Sequence, residues 1–173
     1  MILSTPELRE IVQRNVVTSS TGPVQIELIS VGLHLDNQFT IYTEYPAAPF
    51  VPPKELKCEN RVIGPSESFR LPPQGKVLAC SEEIVNMPLD LMGFVQTKGS
   101  LARGFLLAHA CDGQIDPGYQ GKITLEVANL SDFYYDLKPG MAFASLFFYR
   151  LTSPVADGYS GRYQRSFTPT GMR

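Results

Sequence analysis

Proline and glycine interrupt this chain so often that long regular helices are excluded from most of it. Its 173 residues include 14 prolines and 14 glycines, spread throughout the sequence. Between them, apolar and polar side chains alternate over short runs, as they do in strands that bury one face. Short strands at regular intervals predict an all-β sandwich or barrel.

One helix and several strands are predicted within a single domain. Ser4 and Thr5 can cap the helix, Pro6 suits its first turn, and Glu7 can reach back to Ser4. The predicted strands cover residues 24–35, 38–44, 68–71, 76–81, 91–97, 122–129, 133–137 and 141–151. The last of these is apolar on both faces, so we expect it deep in the core. Residues 1–151 are expected to form the domain, and the polar residues 152–173 a mobile tail.

Composition limits the possible partners. Hydrophobic residues make up 43% of the chain and charged residues 18%, and the net charge is −2. Recognition of an anion must then depend on a few local cations, which favours a small ligand over nucleic acid. The opening MILSTPELRE has no long apolar run, so neither a signal peptide nor a membrane anchor is expected. Cys58, Cys80 and Cys111 form no C-x-x-C pair, which predicts reduced thiols in a cytoplasmic protein.

Two segments carry cations that could meet a ligand. KGSLAR, at residues 98–103, follows a predicted strand and could present backbone N–H groups and a hydroxyl to phosphate oxygens. It could equally be an ordinary turn with solvated charges. The tail places Arg162 and Tyr163 beside glycines and could fold over a nucleotide, or it could simply be frayed.

A single carboxylate lies in the clearest predicted strand, which follows the turn IDPGYQG. Glu126 shares a face with Thr124 and Ala128, whose small side chains leave room for a ligand. A strand glutamate more often faces water, so both interpretations stand at this point. The chain has no H-x-E with P-C-x-x-C, which a zinc deaminase requires, and no Walker or Rossmann glycine motif.

MILS at the start, KGSLAR, IDPGYQG, TLEVAN and LKPGM occur in the order expected of the dCTP deaminase family, which belongs to the trimeric dUTPase-like superfamily. The chain resembles this family over nearly its whole length. The resemblance implies a mainly β, distorted barrel or jelly-roll fold, and a homotrimer whose active sites are shared between neighbouring subunits. It also implies a deoxynucleoside triphosphate as substrate, with Mg²⁺ bound by the triphosphate and not directly by the protein.

The resemblance also implies roles for individual residues. Glu126 would be the general base that activates water for attack on C4 of cytosine, and Arg103 would support it. Lys98 and Ser100 would meet the phosphates. Further substrate contacts are expected at Gly99, Asp112, Gln114, Asp116, Tyr119, Arg162, Tyr163 and Ser166.

The chain departs from the family pattern at several of these positions. The family typically reads R-S-S-L-A-R, so Gly99 replaces a serine that helps to position the attacking water or the base. Lys98 keeps the charge of arginine but loses its bidentate fork. The other departures are Gly32 in place of an aspartate, Gln114 in place of a basic residue and Ser166 in place of a tail glutamine.

The leading hypothesis is an enzyme that deaminates dCTP to dUTP and ammonia. A second hypothesis is dUTP hydrolysis, alone or after deamination, in which Asp112 or Asp116 activates water against the α-phosphate. A third is a nucleotide-binding trimer that has lost turnover, motivated by Gly32, Gly99 and Ser166. A modified cytosine nucleotide as the true substrate is a further variant.

Overall fold

The computed structural model of the protein describes residues 1–45 and 55–172. Its elements are α1 (Thr5–Gln13), β1 (Val17–Thr18), β2 (Val31–Tyr42), β3 (Cys58–Val62), β4 (Phe69–Leu71), β5 (Lys76–Asn86), β6 (Leu91–Thr97), α2 (Gly99–Ala102), β7 (Leu106–Leu107), β8 (Gln114–Ile115), β9 (Gln120–Asn129), β10 (Tyr135–Leu137) and β11 (Ala142–Arg150). The main body is one curled antiparallel sheet with strand order β7-β9-β5-β2-β11-β6-β8; β1 adds beside β5 and β3 beside β2, while β4 and β10 pair separately. The prediction of a mainly β fold is therefore confirmed.

The predicted N-terminal helix is present and begins where its capping residues indicate. The backbone N–H and the hydroxyl of Ser4 both donate to Glu7 Oε2, at 3.1 and 2.6 Å. The bond to Glu7 pairs the Ser4 N–H, a backbone donor that the start of the helix would otherwise leave unpaired. Leu8 and Ile11, one turn apart, are buried against the sheet.

Strand β9 follows the alternation seen in its sequence. Ile123, Leu125 and Val127 are buried in the core, while Thr124 and Glu126 are half-buried on the opposite face. Along one edge β9 pairs with β5, and at its end it pairs with β7. A side chain on this face is therefore held by a strand that is paired along its length.

The predicted burial of the last strand is also confirmed. In β11 the four residues from Phe143 to Leu146 and also Phe148 are buried. The strand lies between β2 and β6 and pairs with both. The turn before it has Gly140 at φ +75°, the conformation that a type II turn requires at its third position.

Some strand boundaries differ from the predictions. Residues 24–35 and 38–44 were expected to be two strands, but most of that stretch is the single strand β2, whose pairing with β5 shifts register between Leu35 and Phe39. The register shift accommodates the polar residues between Leu35 and Phe39, whose sequence resembles a turn. Strand β5 runs to Asn86 and not to residue 81, because a second irregularity lets it continue past two glutamates. Strand β3 was missed, since CENRV is exposed at every position and shows no apolar alternation.

The tail lies against the domain in this structure. Its Ser166 carbonyl accepts a hydrogen bond from Lys122 N–H at 2.8 Å. Gln164 donates to the carbonyls of Gly118 and Tyr159 at 2.8 and 2.7 Å, and its own Oε1 accepts from Gln120 N–H at 2.8 Å. Opening and closing of this segment stays a prediction. No helix within residues 1–45 and 55–172 is long and apolar enough to cross a membrane.

Candidate active site

A cleft of about 280 Å³ lies between β9, the turn that precedes it and the tail. Residues that the sequence analysis selected from three separate segments meet in this cleft. Those that line it are Asp112, Gln114, Asp116, Tyr119, Glu126 and Tyr163. The fold therefore brings half of the predicted site residues to one place within a single chain.

Glu126 is held by the backbone of the loop beside it. Its Oε2 accepts hydrogen bonds from the N–H groups of Cys111 and Asp112, at 2.8 and 3.1 Å. Its Oε1 meets no donor among the residues that the structure describes. Two backbone donors fix the orientation of the carboxylate, so that Oε2 is pinned while Oε1 keeps its capacity to accept a proton or a hydrogen bond.

The turn before β9 carries two further carboxylates in one hydrogen-bonded network. Gln114 N–H donates to Asp112 Oδ1 at 3.0 Å, and Gln114 Nε2 donates to Asp116 Oδ1 at 2.6 Å. Gly118, at φ +83°, closes the turn where an added Cβ would come within 2.6 Å of Gly158 Cα. Glycine is required there by both the backbone conformation and the close approach of the tail.

Three tyrosines form an aromatic wall, two of them contributed by the tail. The rings of Tyr119 and Tyr159 are 6.0 Å apart, and Tyr163 N–H donates to Tyr159 Oη at 3.3 Å. Tyr119 Oη donates to the carbonyl of Lys122 at 2.5 Å. Burial raises the pKa of Tyr119, so its hydroxyl stays protonated and keeps donating at neutral pH.

A partly buried ion pair supports the start of β9. Lys122 Nζ lies 2.5 Å from Asp36 Oδ2, and the Cys80 thiol donates to the same oxygen at 3.5 Å. Burial by itself would raise the pKa of Asp36, but the hydrogen bond and charge of Lys122 outweigh it and hold that pKa below its ordinary value. Burial raises the pKa of the Cys80 thiol, so this cysteine stays protonated and unreactive.

The segment predicted to meet the phosphates lies elsewhere. Residues 99–102 form the single turn α2, and neither they nor their two flanking cations line the cleft. Lys98 pairs with Glu27, a carboxylate that also accepts from the hydroxyls of Ser30 at 2.6 Å and Ser145 at 2.9 Å. Burial tends to raise the pKa of Glu27, yet the Lys98 and serine hydrogen bonds lower it.

Arg103 and Ser100 are exposed, and Arg103 reaches only the carbonyl of Gly99 in its own turn, at 3.3 Å from Nη1. Within one chain, then, the proposed base and its proposed arginine support are not neighbours. The two remaining predicted residues lie in the tail outside the cleft lining: Arg162 is exposed, and Ser166 donates to Thr168 O at 3.0 Å.

Several lining residues were not anticipated. Tyr42 at the end of β2 accepts Met172 N–H at 2.9 Å and so connects the sheet to the last described residue. Leu78 on β5 faces Glu126 across the strand pair, and Thr170 N–H donates to Thr124 Oγ1 at 3.3 Å. Tyr159 is the one that a sequence signal could have found, because an aromatic residue between glycines in a polar tail suggests a ligand contact. The others depend on strand pairing.

Within residues 1–45 and 55–172, no three His, Cys, Asp or Glu side chains are grouped so that they could hold a metal ion.

The curled antiparallel sheet, with its carboxylate-bearing cleft under a C-terminal tail, is a dUTPase-like fold, as predicted. The crystal structure of 2′-deoxycytidine 5′-triphosphate deaminase from Agrobacterium tumefaciens matches it with a TM-score of 0.65 over 85% of this chain. The sequence identity is 18%, and the match spans 47% of that longer chain, so this likeness concerns the fold alone.

The sequence comparisons define the family. The model of the dCTP deaminase-like family matches residues 2–151, and the chain belongs to that family. A relative named "dCTP deaminase, dUMP-forming" from Streptomyces coelicolor is 34% identical, with 100% of this chain and 95% of that protein covered. A relative of the same name from Pseudarthrobacter chlorophenolicus is 33% identical over the same shares.

Proposed function

We propose that the protein is an enzyme that deaminates the cytosine of dCTP and then hydrolyses the product to dUMP and pyrophosphate. The observation that carries the proposal is the position of Glu126 in the lining of the cleft, with Oε2 pinned by two backbone N–H groups and Oε1 meeting no donor among the described residues. Full-length relatives named as dUMP-forming dCTP deaminases support the choice of substrate and of end product.

In the deamination step Glu126 acts as the general base. Its Oε1 takes a proton from a water molecule, and the resulting hydroxide attacks C4 to form a tetrahedral centre. Glu126 then returns the proton to the 4-amino nitrogen. The C4–N bond breaks, ammonia leaves, and the base becomes uracil. A rigidly placed carboxylate suits this double role, because the same oxygen must meet first the water and then the leaving nitrogen.

The hydrolytic step uses the other carboxylates of the cleft. Asp116, or Asp112 beside it, accepts a proton from a second water, which attacks the α-phosphorus while the bond to the β-phosphate oxygen breaks. Gln114 ties both aspartates into one network and would set their orientation. The leading hypothesis from the sequence ended at dUTP. The relatives' names and the presence of two spare carboxylates favour the additional step.

The triphosphate requires positive charge, and no lysine or arginine lines the cleft among the described residues. In this proposal the protein is a homotrimer, and Lys98, Ser100 and Arg103 of a neighbouring subunit complete each cleft. All three lie outside the cleft lining of their own chain, and Ser100 and Arg103 are exposed, as a shared site requires. Arg162 would add charge from the tail, and Mg²⁺ would enter with the nucleotide, bound to its phosphates.

Product analysis tests the proposal. Purified protein is incubated with dCTP and Mg²⁺, the nucleotides are separated by chromatography, and ammonia and pyrophosphate are assayed in the same sample. We expect ammonia, dUMP and pyrophosphate in equal amounts. Accumulation of dUTP would restrict the enzyme to deamination, whereas the absence of ammonia with tightly bound dCTP would refute catalysis and leave a binding trimer.

A further inference from the structure

A second cavity, of about 270 Å³, also has Glu126 in its lining. It shares three lining residues with the cleft: Tyr42, Leu78 and Glu126. The two cavities are therefore adjacent chambers, with the proposed general base in the wall between them. A group attached to the substrate close to the reacting carbon could extend from the first into the second.

The second cavity differs chemically from the cleft. Its walls include the small side chains of Ala110 and Ala128 and the apolar surface of Leu78. The cleft instead presents two aspartates and four tyrosines, one of which, Tyr42, also lines the second cavity. Apart from Glu126, the charged residue in the second lining is Lys76, which is exposed. Such a lining favours an uncharged apolar group over a phosphate, a sugar or water.

We propose that this second cavity is a subsite for an apolar substituent on C5 of the cytosine ring, so that 5-methyl-dCTP and larger 5-alkyl or 5-alkynyl analogues are substrates. The inference rests on the proposed function, because it requires C4 to face Glu126. C5 is bonded to C4, so a substituent on C5 lies beside the carboxylate that activates the water. The chemistry is unchanged: water enters, ammonia leaves, and 5-methylcytosine becomes thymine.

The size of the cavity points beyond a methyl group. A water molecule occupies about 30 Å³ of liquid, so 270 Å³ is several times the volume that one methyl group fills. Ala110 is exposed, and its own backbone N–H donates to the carbonyl oxygen of Glu126 at 3.0 Å. A larger side chain at this position would narrow the cavity from its open side without entering the buried core.

The test compares two nucleotides in two variants. Dissociation constants and kcat/KM are measured for dCTP and 5-propynyl-dCTP, and the ratio between the nucleotides is the readout. We expect wild type to accept both with similar affinity and Ala110→Leu to reduce the relative affinity for the propynyl nucleotide about 10-fold or more, the usual cost of a filled hydrophobic pocket. Ala142→Leu, the same substitution at an exposed site outside both cavities, should keep the wild-type ratio.

The outcomes separate this inference from the proposed function. If dCTP is converted but 5-propynyl-dCTP and 5-methyl-dCTP neither bind nor react, the subsite is wrong and the proposed function stands. If both nucleotides bind and Ala110→Leu changes their ratio, but no ammonia forms, the subsite is supported and catalysis is refuted. An unchanged ratio in Ala110→Leu, with either nucleotide bound, overturns the subsite.

Discussion

The cleft around Glu126 and the turn around Lys98 are constructed in opposite ways. In the cleft, contacts within the chain fix each functional group: backbone N–H groups hold Glu126, Gln114 links two aspartates, and the tail is hydrogen-bonded along β9. In the turn around Lys98, by contrast, α2 is a single exposed helical turn, and Lys98 is paired with Glu27.

This difference indicates how the site is divided. The cleft contains the carboxylates and aromatic groups that suit a base and a sugar, while the cations that suit a triphosphate, Lys98 and Arg103, lie outside its lining. Under the proposed function, a monomer with this arrangement lacks the cations that a bound triphosphate requires in its cleft. In the proposed homotrimer, assembly of three copies would bring the two halves together, and the predictions below test the contribution of each region.

The largest effect is expected for Glu126→Gln. The amide keeps the shape of the side chain but cannot take a proton from water, so the rate of ammonia release should fall by about 10²- to 10⁴-fold. Stopped-flow or steady-state ammonia assays measure the loss, and dCTP binding should persist. Glu10→Gln, at an exposed position on α1, is the matched control. Full activity in Glu126→Gln would remove this residue from the mechanism.

Mixing two inactive variants tests the shared site directly. Arg103→Ala and Glu126→Gln are each expected to be inactive, but a site formed from one subunit of each has both side chains intact. Random equal assembly of a cyclic trimer should restore about a quarter of the wild-type sites. The chain that carries both substitutions cannot form an intact site, so its activity after the same assembly procedure is the negative control. Failure to recover activity in proven mixed trimers would mean that both residues serve the same chain's site.

A smaller effect concerns the support of β9. Asp36→Asn leaves Lys122 without its partner at a site where the two side chains are 12% and 15% exposed, so we expect a loss of about 2–4 kcal/mol in the free energy of unfolding. Urea unfolding measures it, with exposed Asp132→Asn as the control.

The same variant should change the dependence of stability on pH. Because the folded-state pKa of Asp36 is below its ordinary value of 3.8, its contribution is fully present above 3.8 and is lost as pH falls through the lowered pKa. Wild type should therefore lose this increment in acid, whereas Asp36→Asn lacks it throughout. If the free energies of unfolding of the two proteins fell in parallel as the pH was lowered, the ion pair would not stabilise the fold.

The smallest effect is expected for Gly99→Ser, which restores the serine of the family pattern. An added Cβ would lie 3.4 Å from Arg103 Nη1, an ordinary contact, so the backbone accommodates it. One further hydrogen bond to water or base should raise kcat about 2- to 10-fold. Gly22→Ser, where nothing lies within 4 Å, is the matched control. A decrease in kcat would mean that Gly99 is an adaptation of this site.

Local patterns in the sequence account for much of the fold. The alternation around Glu126 predicts both the strand and the face that points into the cleft, and the run at residues 91–97 coincides with β6. Strand β3 escaped prediction because its exposed polar residues carry no hydrophobic signal, and register shifts made β2 and β5 longer than their turn-like residues suggest.

The residues of the candidate site could be predicted less completely from the sequence than the strands. Residues within the IDPGYQG turn and β9 are close along the chain, so their meeting in the cleft could be anticipated. Tyr42 and Leu78 reach it only through pairing between distant strands. The ion pair of Lys98 with Glu27 joins residues 71 positions apart, which no local motif indicates.

The contacts of the tail have a consequence for handling the protein. Strand β9 pairs with β5 along one edge, while the tail covers the first part of its other edge by bonding the backbone of Gln120 and Lys122 and the side chain of Thr124. Deleting the tail would leave a row of unpaired backbone groups, which is a template for pairing with another molecule. Shortened forms should therefore aggregate at concentrations where the full chain stays dispersed, and an affinity tag is better placed at the N-terminus.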